Sequence, residues 1–439
     1  MTARWSDALA GYLKPRVLVF LFLGFACGLP FMLISRTLKL WLEASHIEVS
    51  VIALFAAVTL PFSFKFVWAP LVDRIRIPYL SGLIGHKKAW GLLIQICLVV
   101  SIFGLACMPP DQNTYFWEYM IQGRRVLIPM QTFIFAFLVA FFTASQDIVV
   151  DALRIDTLPK EEFGQGSGLY MLGYRLGLLS SGAGLWMLVD YFHDWRMPYM
   201  MAGCGILVGM AGILLMHEQP REAPRSDHIL KNMFVDPFAH FMTHRSWVLI
   251  LAFIALYKVC NSVLGNLIDP FYKQIGFNLT QIGVVSGVFG PFVTIFGALL
   301  GGVLVVRFNI LKTLFALGVV EILTSLVFAG LALLGSHTPA FVATIVFDNI
   351  IGGMGGAVFV AYLSGLCSPK YSATQYALLT SLMTVVSVVV AMPTGFLTQQ
   401  FILSYGLHLG WAAFFVSTSV LMVPALVVLG VLMRRETKV

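Results

Sequence analysis

Apolar runs broken by glycine, proline or charge fall at residues 17–42, 50–72, 89–108, 129–153, 163–189 and 198–216. After a polar stretch they resume at 246–272, 278–306, 312–334, 339–367, 373–402 and 410–433. Each run is near or above the roughly 20 residues a helix needs to cross the hydrocarbon core of a bilayer. The pattern predicts an all-α membrane protein of twelve transmembrane helices in two six-helix bundles. The polar stretch 217–244 holds Pro220, Pro224, Pro237 and many charges. It predicts a cytoplasmic linker between an N-terminal bundle, 1–216, and a C-terminal bundle, 245–439.

Composition narrows the class. Of 439 residues, 59% are hydrophobic and 11% charged, and the mean hydropathy is +0.88. Soluble chains carry about 25% charged residues, so too little polar surface remains here for ordinary water-soluble domains. The net charge of +7 would suggest nucleic acid in a soluble chain, but here it is read through the loops. With the N-terminus inside, the outer segments hold only Arg124, Arg125, Arg196 and Lys273. Arg36, Lys39, Lys65, Arg175 and Lys258 lie within the runs, and all other Lys and Arg residues fall inside. That asymmetry predicts cytoplasmic termini and no nucleic-acid partner.

The remaining chemistry is sparse. Cysteines 27, 97, 107, 204, 260 and 367 show no CxxC or CxxH spacing and read as buried hydrophobes. His240 and His244, four apart in the linker, are a pair with ligand-like spacing, but a solvated stretch is the expectation there. No cofactor or metal is predicted. GxSxG, HExxH and GxxxxGK[ST] motifs are absent from the sequence, which argues against an enzyme. The first run carries Arg36 and Lys39 without a small-residue cleavage site, so it predicts a span and not a cleavable signal.

Charge at depth is the most informative feature. A charged side chain at the bilayer centre costs at least ~2.5–3.5 kcal/mol, so it survives where it faces a wet cavity or a partner. Runs 1, 4, 7 and 10 all carry polar groups: Arg36 and Lys39; Gln146, Asp147 and Asp151; Lys258 and Asn261; Asp348 and Asn349. Lys65, Arg175 and Glu321 lie on runs 2, 5 and 9. Gly28, Pro30, Pro61, Pro291 and Pro393 predict kinks beside these groups. The pairs Gly24/Gly28, Gly173/Gly177, Gly297/Gly301 and Gly352/Gly356 predict close helix packing.

The turn after run 2 reads APLVDRIR before HKK, and that after run 8 reads GGVLVVRFNILK. Basic turns at matching places in two halves resemble the major facilitator superfamily, whose loop motif pairs an Asp with Arg or Lys, here Asp73 and Arg74. In that fold the first helices of four three-helix units line a central cavity, and those are runs 1, 4, 7 and 10. Longer segments are similar to the AmpG-type muropeptide permease family. They are LGFACGLPFMLISRTLKLWL, PFSFKFVWAPLVDR, ASQDIVVDALRIDTLP and LGYRLGLLSSG in the first half. In the second half they are LYKVCNSV, FDNIIGGMGGAVFVAYLSGLC and SATQYALLTSL. The family commonly has an Asp where this chain has Asn261.

The resemblance implies proton-coupled import of anhydro-muropeptides, which are anionic sugar-peptides of the cell wall, across a bacterial inner membrane by alternating access. The expected carrier is a multi-pass monomer in membrane lipid, with protons as co-substrate. On the positions above, Arg36, Lys39 and Lys258 are expected to hold cargo carboxylates, while Gln146, Asn261 and Asn349 bond sugar hydroxyls and amides. Asp147 is the first expected proton carrier, followed by Asp348 and Glu321. Asp73, Arg74, Asp151 and Arg154, with Asp156 nearby, are expected to form a cytoplasmic gate, and Lys65 and Arg175 structural or cavity ion pairs. The alternative cargo is another anionic metabolite: acyl-CoA-like, a siderophore or a peptide.

Overall fold

The computed structural model describes residues 10–47, 49–112, 116–121, 124–216, 229–391 and 393–436. Among them, ten helices are long and apolar enough to cross a membrane. In the N-terminal half these are α1 (Pro15–Ala44), α3 (His86–Cys107), α4 (Met130–Thr157) and α6 (Arg196–Leu215). In the C-terminal half they are α7 (Trp247–Gln274), α8 (Gly283–Arg307), α9 (Ile310–Leu334), α10 (Thr338–Leu366), α11 (Pro369–Tyr405) and α12 (Leu407–Arg435). Two further helical tracks, α2 (49–74) and α5 (163–192), fall outside that set.

The exceptions have local causes. Track α2 alternates short α-helical and 3-10 segments around Pro61 and Pro70; proline removes a backbone donor and breaks the ladder. Track α5 is glycine-rich, carries Arg175 and loosens into a π-turn at Ser180–Gly184. Pro30 precedes a π-turn at Leu33–Thr37 in α1, and Pro291 follows one at Gly283–Phe289 in α8. Helix α7 breaks at Lys258, which ends one segment and starts the next.

Two elements depart from the expected pattern. An antiparallel hairpin, β1 (Phe116–Ile121) with β2 (Arg124–Pro129), joins α3 to α4, an unexpected element in a connection of an otherwise all-helical fold. The linker is also partly ordered: Ile229–Met242 form a helix, while 217–228, with His217 and His228, lie outside the described residues. At its end His240 rests against Tyr371 and His244 against Phe241. No group of three or more metal-ligating side chains occurs among the described residues.

Glycines set the closest helix crossings. A Cβ at Gly24 or Gly28 would strike the α5 backbone at Tyr170 or Tyr174, and one at Gly173 or Gly177 would strike α1. In the second half, Gly297 and Gly301 of α8 lie on the α10 backbone at Ile350 and Met354. The reciprocal residue on α10 is Gly353, which faces the backbone of Thr294. Gly352 has open space and Gly356 only the flexible tip of Met171, so the expected Gly352/Gly356 pair is corrected by one helical position.

Among the described residues, the buried cores of the two halves merge at one end of the N-terminal half. Near the start of α1, Val17, Val72 and Leu153 share a buried cluster with Ala361, Ala373 and Ala377 of the C-terminal half. Farther along α1, the cluster around Leu33, Trp41, Phe55 and Tyr199 contains N-terminal-half residues alone.

Candidate functional site

Polar side chains gather in two zones. The first is the end where α1 begins, and it ties the halves together. The Asp73 carboxylate, at the finish of α2, accepts from the Thr374 amide at 2.8 Å, from Thr374 Oγ1 at 2.7 Å and from the Ala373 amide at 3.2 Å. These amides open the helix Ser372–Ala391 within α11. They have no intrahelical acceptor, and the helix dipole favours an anion there.

Lys87 completes this joint. Its Nζ lies 2.6 Å from Asp156 Oδ2 and 3.5 Å from Asp73 Oδ1, and it donates to Ser372 Oγ. Ser372 Oγ in turn donates to Asp156 Oδ1 at 3.0 Å. One buried ammonium thus bridges two carboxylates from the N-terminal half and a hydroxyl from the C-terminal half. Deeper in, Arg154 is fully buried and donates to Asp151 Oδ1 at 2.7 Å and Ser364 Oγ at 3.3 Å. Its guanidinium lies between Tyr170 of α5 and Tyr376 of α11, 5.0 and 5.3 Å from the ring centres. A cation between two ring faces is attracted to both, and these two rings belong to opposite halves.

The linker helix closes over the same place. Arg74 lies 4.0 Å from Asp236 and 5.4 Å over the Tyr371 ring. Gln375 Nε2 donates to Pro237 O at 3.0 Å. All four residues expected at a gate, Asp73, Arg74, Asp151 and Arg154, therefore stand in this zone. Lys87, Ser372, Thr374, Tyr170 and Tyr376 are additions from the structure.

The second zone lies midway along the helices. Asp147 Oδ2 is 3.9 Å from Lys65 Nζ, while Asp147 Oδ1 is buried without a hydrogen-bond partner. Gln146 is fully buried, donates to Cys27 Sγ at 3.3 Å and leaves its Oε1 unpartnered. Lys258 lies within electrostatic range of Glu321 in its own half and of Arg175 across the halves, and Glu321 within range of Asp348. Glu321 Oε1 and Arg175 Nε are buried without a hydrogen-bond partner. No ion pair within 4 Å joins Arg175, Lys258, Glu321 or Asp348 among the described residues.

The other expected residues take different places. Arg36 and Lys39 are exposed, in and just beyond the α1 π-turn. Asn261 is half-buried on α7. Asn349 is engaged within the C-terminal half: its Oδ1 accepts from Thr294 Oγ1 at 2.6 Å and its Nδ2 donates to Ile345 O at 2.9 Å. That link holds α10 on α8.

Over residues 17–391 the chain matches the Major Facilitator Superfamily. It is 33% identical over 426 residues to the anhydromuropeptide permease of Escherichia coli strain K12, covering 97% of this chain and 81% of that protein. It is 30% identical over 416 residues to the putative transporter AmpG 4 of Rickettsia conorii, covering 93% and 94% respectively. Its fold is similar to that of the proton:xylose symporter XylE bound to 6-bromo-6-deoxy-D-glucose, with TM-score 0.63, 12% identity and coverage of 97% and 95%. It is also similar to the Escherichia coli fucose:proton symporter FucP, with TM-score 0.64, 12% identity and coverage of 94% and 98%. At such identities the likeness is one of fold.

Proposed function

Because this chain belongs to the Major Facilitator Superfamily, a multi-pass transporter of the inner membrane and not an enzyme, we propose that it imports anhydro-muropeptides by proton-coupled alternating access. The observation that carries the cargo is identity along nearly the whole chain to an anhydromuropeptide permease. In this reading α2 and α5 cross the membrane with the ten apolar helices, giving twelve spans. Both termini face the cytoplasm, and the protein works as a monomer.

The zone around Asp73, Lys87 and Arg154 is then the cytoplasmic gate in its shut state, which leaves the mid-depth groups to be reached from outside. The cargo is a carboxylate-bearing sugar-peptide. Lys258 and Arg175, two cations in electrostatic range from opposite halves, are suited to share one of its carboxylates, and Arg36 and Lys39 to meet it on the way in. An Arg fork and a Lys point charge both bind carboxylates by charge-assisted hydrogen bonds. Asn261 and Gln146, whose Oε1 is unpartnered, take hydroxyls and amides.

Asp147 carries the proton. One oxygen faces Lys65 and the other has no partner, so protonation removes the charge that Lys65 balances and frees that lysine to move. Glu321 and Asp348 form a second acidic pair near Lys258 and stand behind Asp147 in this role.

The test is uptake of labelled anhydro-muropeptide by proteoliposomes, with and without an imposed proton gradient. The reading expects accumulation that requires the gradient. Binding-competent, folded protein that takes up no muropeptide would overturn the cargo and move it to another anionic metabolite; gradient-independent uptake would overturn the coupling.

A further inference from the structure

The segment just before α1 is a strap across the seam between α5 and α8. Residues Gly11–Leu13 form one 3-10 turn, and the Tyr12 ring reaches between the halves. Its hydroxyl donates to Leu299 O of α8 at 2.7 Å. Two glycines make room for it, one on each side: a Cβ at Gly168 of α5 or at Gly302 of α8 would run into Tyr12 Oη. Gly302 also lies against the Gly164 carbonyl, so the two helices meet closely where the hydroxyl is seated. Burial pushes the Tyr12 phenol above its usual value, and it stays a donor at physiological pH.

The strap is anchored on the N-terminal half. Lys14 Nζ and Arg16 Nη2 both bond Glu162 Oε1, at 2.6 Å each, and Glu162 stands at the turn into α5. Beside Tyr12 lies an open apolar groove of about 410 Å³ bounded by Leu18, Leu172, Phe296 and Leu300. The ring has space on that side, while its hydroxyl is seated between the two glycines and bonded to α8.

We propose that Tyr12, held by the Lys14/Arg16–Glu162 clasp, is a positioning residue of the transport cycle: a second latch that keeps the cytoplasmic end shut at the α5–α8 seam, independently of the Asp73 joint at the α2–α11 seam. It rests on the reading in which that end opens and closes. When the end opens, α5 and α8 part, the bond to Leu299 breaks, and the clasp keeps the strap on the N-terminal half ready to re-engage.

Cys367 provides a native reporter. It is buried at the finish of α10, within electrostatic reach of Asp73, Asp151, Arg154 and Lys87. The experiment measures alkylation of Cys367 by N-ethylmaleimide, followed by mass spectrometry of its peptide, on the full-length protein in lipid nanodiscs. Tyr12→Phe keeps the ring and removes the bond; Tyr12→Ala removes both; Asp73→Ala breaks the other joint. Labelling is expected to rise roughly two- to ten-fold in Tyr12→Phe, the shift governed by one neutral hydrogen bond, and further in Tyr12→Ala. Size-exclusion profiles and melting curves identify any variant that fails to fold, and Tyr12→Phe is the substitution least able to unfold the protein. If Asp73→Ala raises labelling and neither Tyr12 variant does, the latch is overturned and the shut gate stands. If Asp73→Ala also leaves labelling unchanged, the gate reading falls and the latch with it.

Discussion

The gate zone and the mid-depth zone use the same residue types and treat them in opposite ways. In the first zone each of these charges has an opposite charge within 4 Å: Lys87 spans Asp73 and Asp156, Arg154 holds Asp151 although its Nη1 has no hydrogen-bond partner, and Asp73 closes the α11 helix end. Midway along the bundle, Asp147, Glu321 and Arg175 each keep a buried polar atom without a hydrogen-bond partner. A buried charge loses water and needs its neighbours to compensate. A network of close ion pairs makes a joint that holds one state, while buried charges with a single long pair or none make a site that gains from a proton or an anionic ligand. Under the proposed function, that difference suits the first zone to locking and the second to exchange.

The strongest way to break this contrast is Lys87→Met, which leaves Asp73 and Asp156 without their shared cation. Removing one partner of a buried ion pair costs about 3–5 kcal/mol, so Cys367 labelling is expected to rise by orders of magnitude, with a lower melting temperature. Adding Asp156→Leu to Lys87→Met should recover part of that loss, because an apolar replacement leaves less charge unbalanced. A double variant no better than the single would show that the ammonium matters for something other than the carboxylates.

Next in size is Asp147→Asn. Gradient-driven uptake is expected to fall to the level seen without a gradient, with the protein folded and the gate shut. An unchanged rate and pH profile would remove Asp147 from the coupling. Lys258→Gln should weaken cargo binding roughly ten- to a hundred-fold, the range for a hydrogen bond to a charged group, and leave Cys367 labelling unaltered. Retained affinity would take Lys258 out of the carboxylate site. Asn349→Ala sharpens the comparison from the structural side: loss of the Thr294 bond should lower stability by about 1 kcal/mol and change affinity less than Lys258→Gln does.

The smallest expected effect concerns pH. Burial opposes ionisation of Glu162, but its hydrogen bonds from Lys14 and Arg16 outweigh that and hold the carboxyl below the usual carboxylate range. A depressed carboxylate contributes stability above its unfolded pKa and loses it only as pH falls through the lower folded value. The ratio of Cys367 labelling in Glu162→Gln to that in wild type should therefore stay constant between about pH 7.5 and 5.5, since both lie above the ordinary Glu value near 4.3. A ratio that converges on one at the acidic end would place the titration of Glu162 higher than its partners allow.

Much of this was legible in the sequence because lipid imposes length. The apolar runs locate ten helices to within a few residues, and the prolines at 30 and 291 mark two of the three π-turns. Depth charges also announce themselves, since few causes keep an arginine or aspartate in a run. The gate was only half legible. Lys87 sits among basic residues that the loop asymmetry already explains, so nothing in its context marks it as a bridge. Its partner Ser372 and the amides at Ala373 and Thr374 belong to a backbone feature, a helix start capped by Asp73 from another helix, which composition does not record. Gly352, Gly353, Gly355 and Gly356 offer several equivalent pairs to a spacing rule; only the rotation of α10 against α8 selects Gly353. Asn349 looks like a cavity residue by position, and its neighbour Thr294, far off in sequence, makes it a packing bolt.

The helix Ile229–Met242 gives the segment between the halves a task beyond connection. It touches Arg74 from one side and Gln375 from the other, so each bundle carries part of its docking surface. A chain nicked ahead of Ile229 would leave the helix covalently on the second bundle but still drawn to Arg74; nicked beyond Met242, it would stay with the first and still reach Gln375. Two separately made pieces thus retain a recognition element whichever side receives it, and reassembly of a severed carrier depends on where the helix can dock more than on where the backbone was cut.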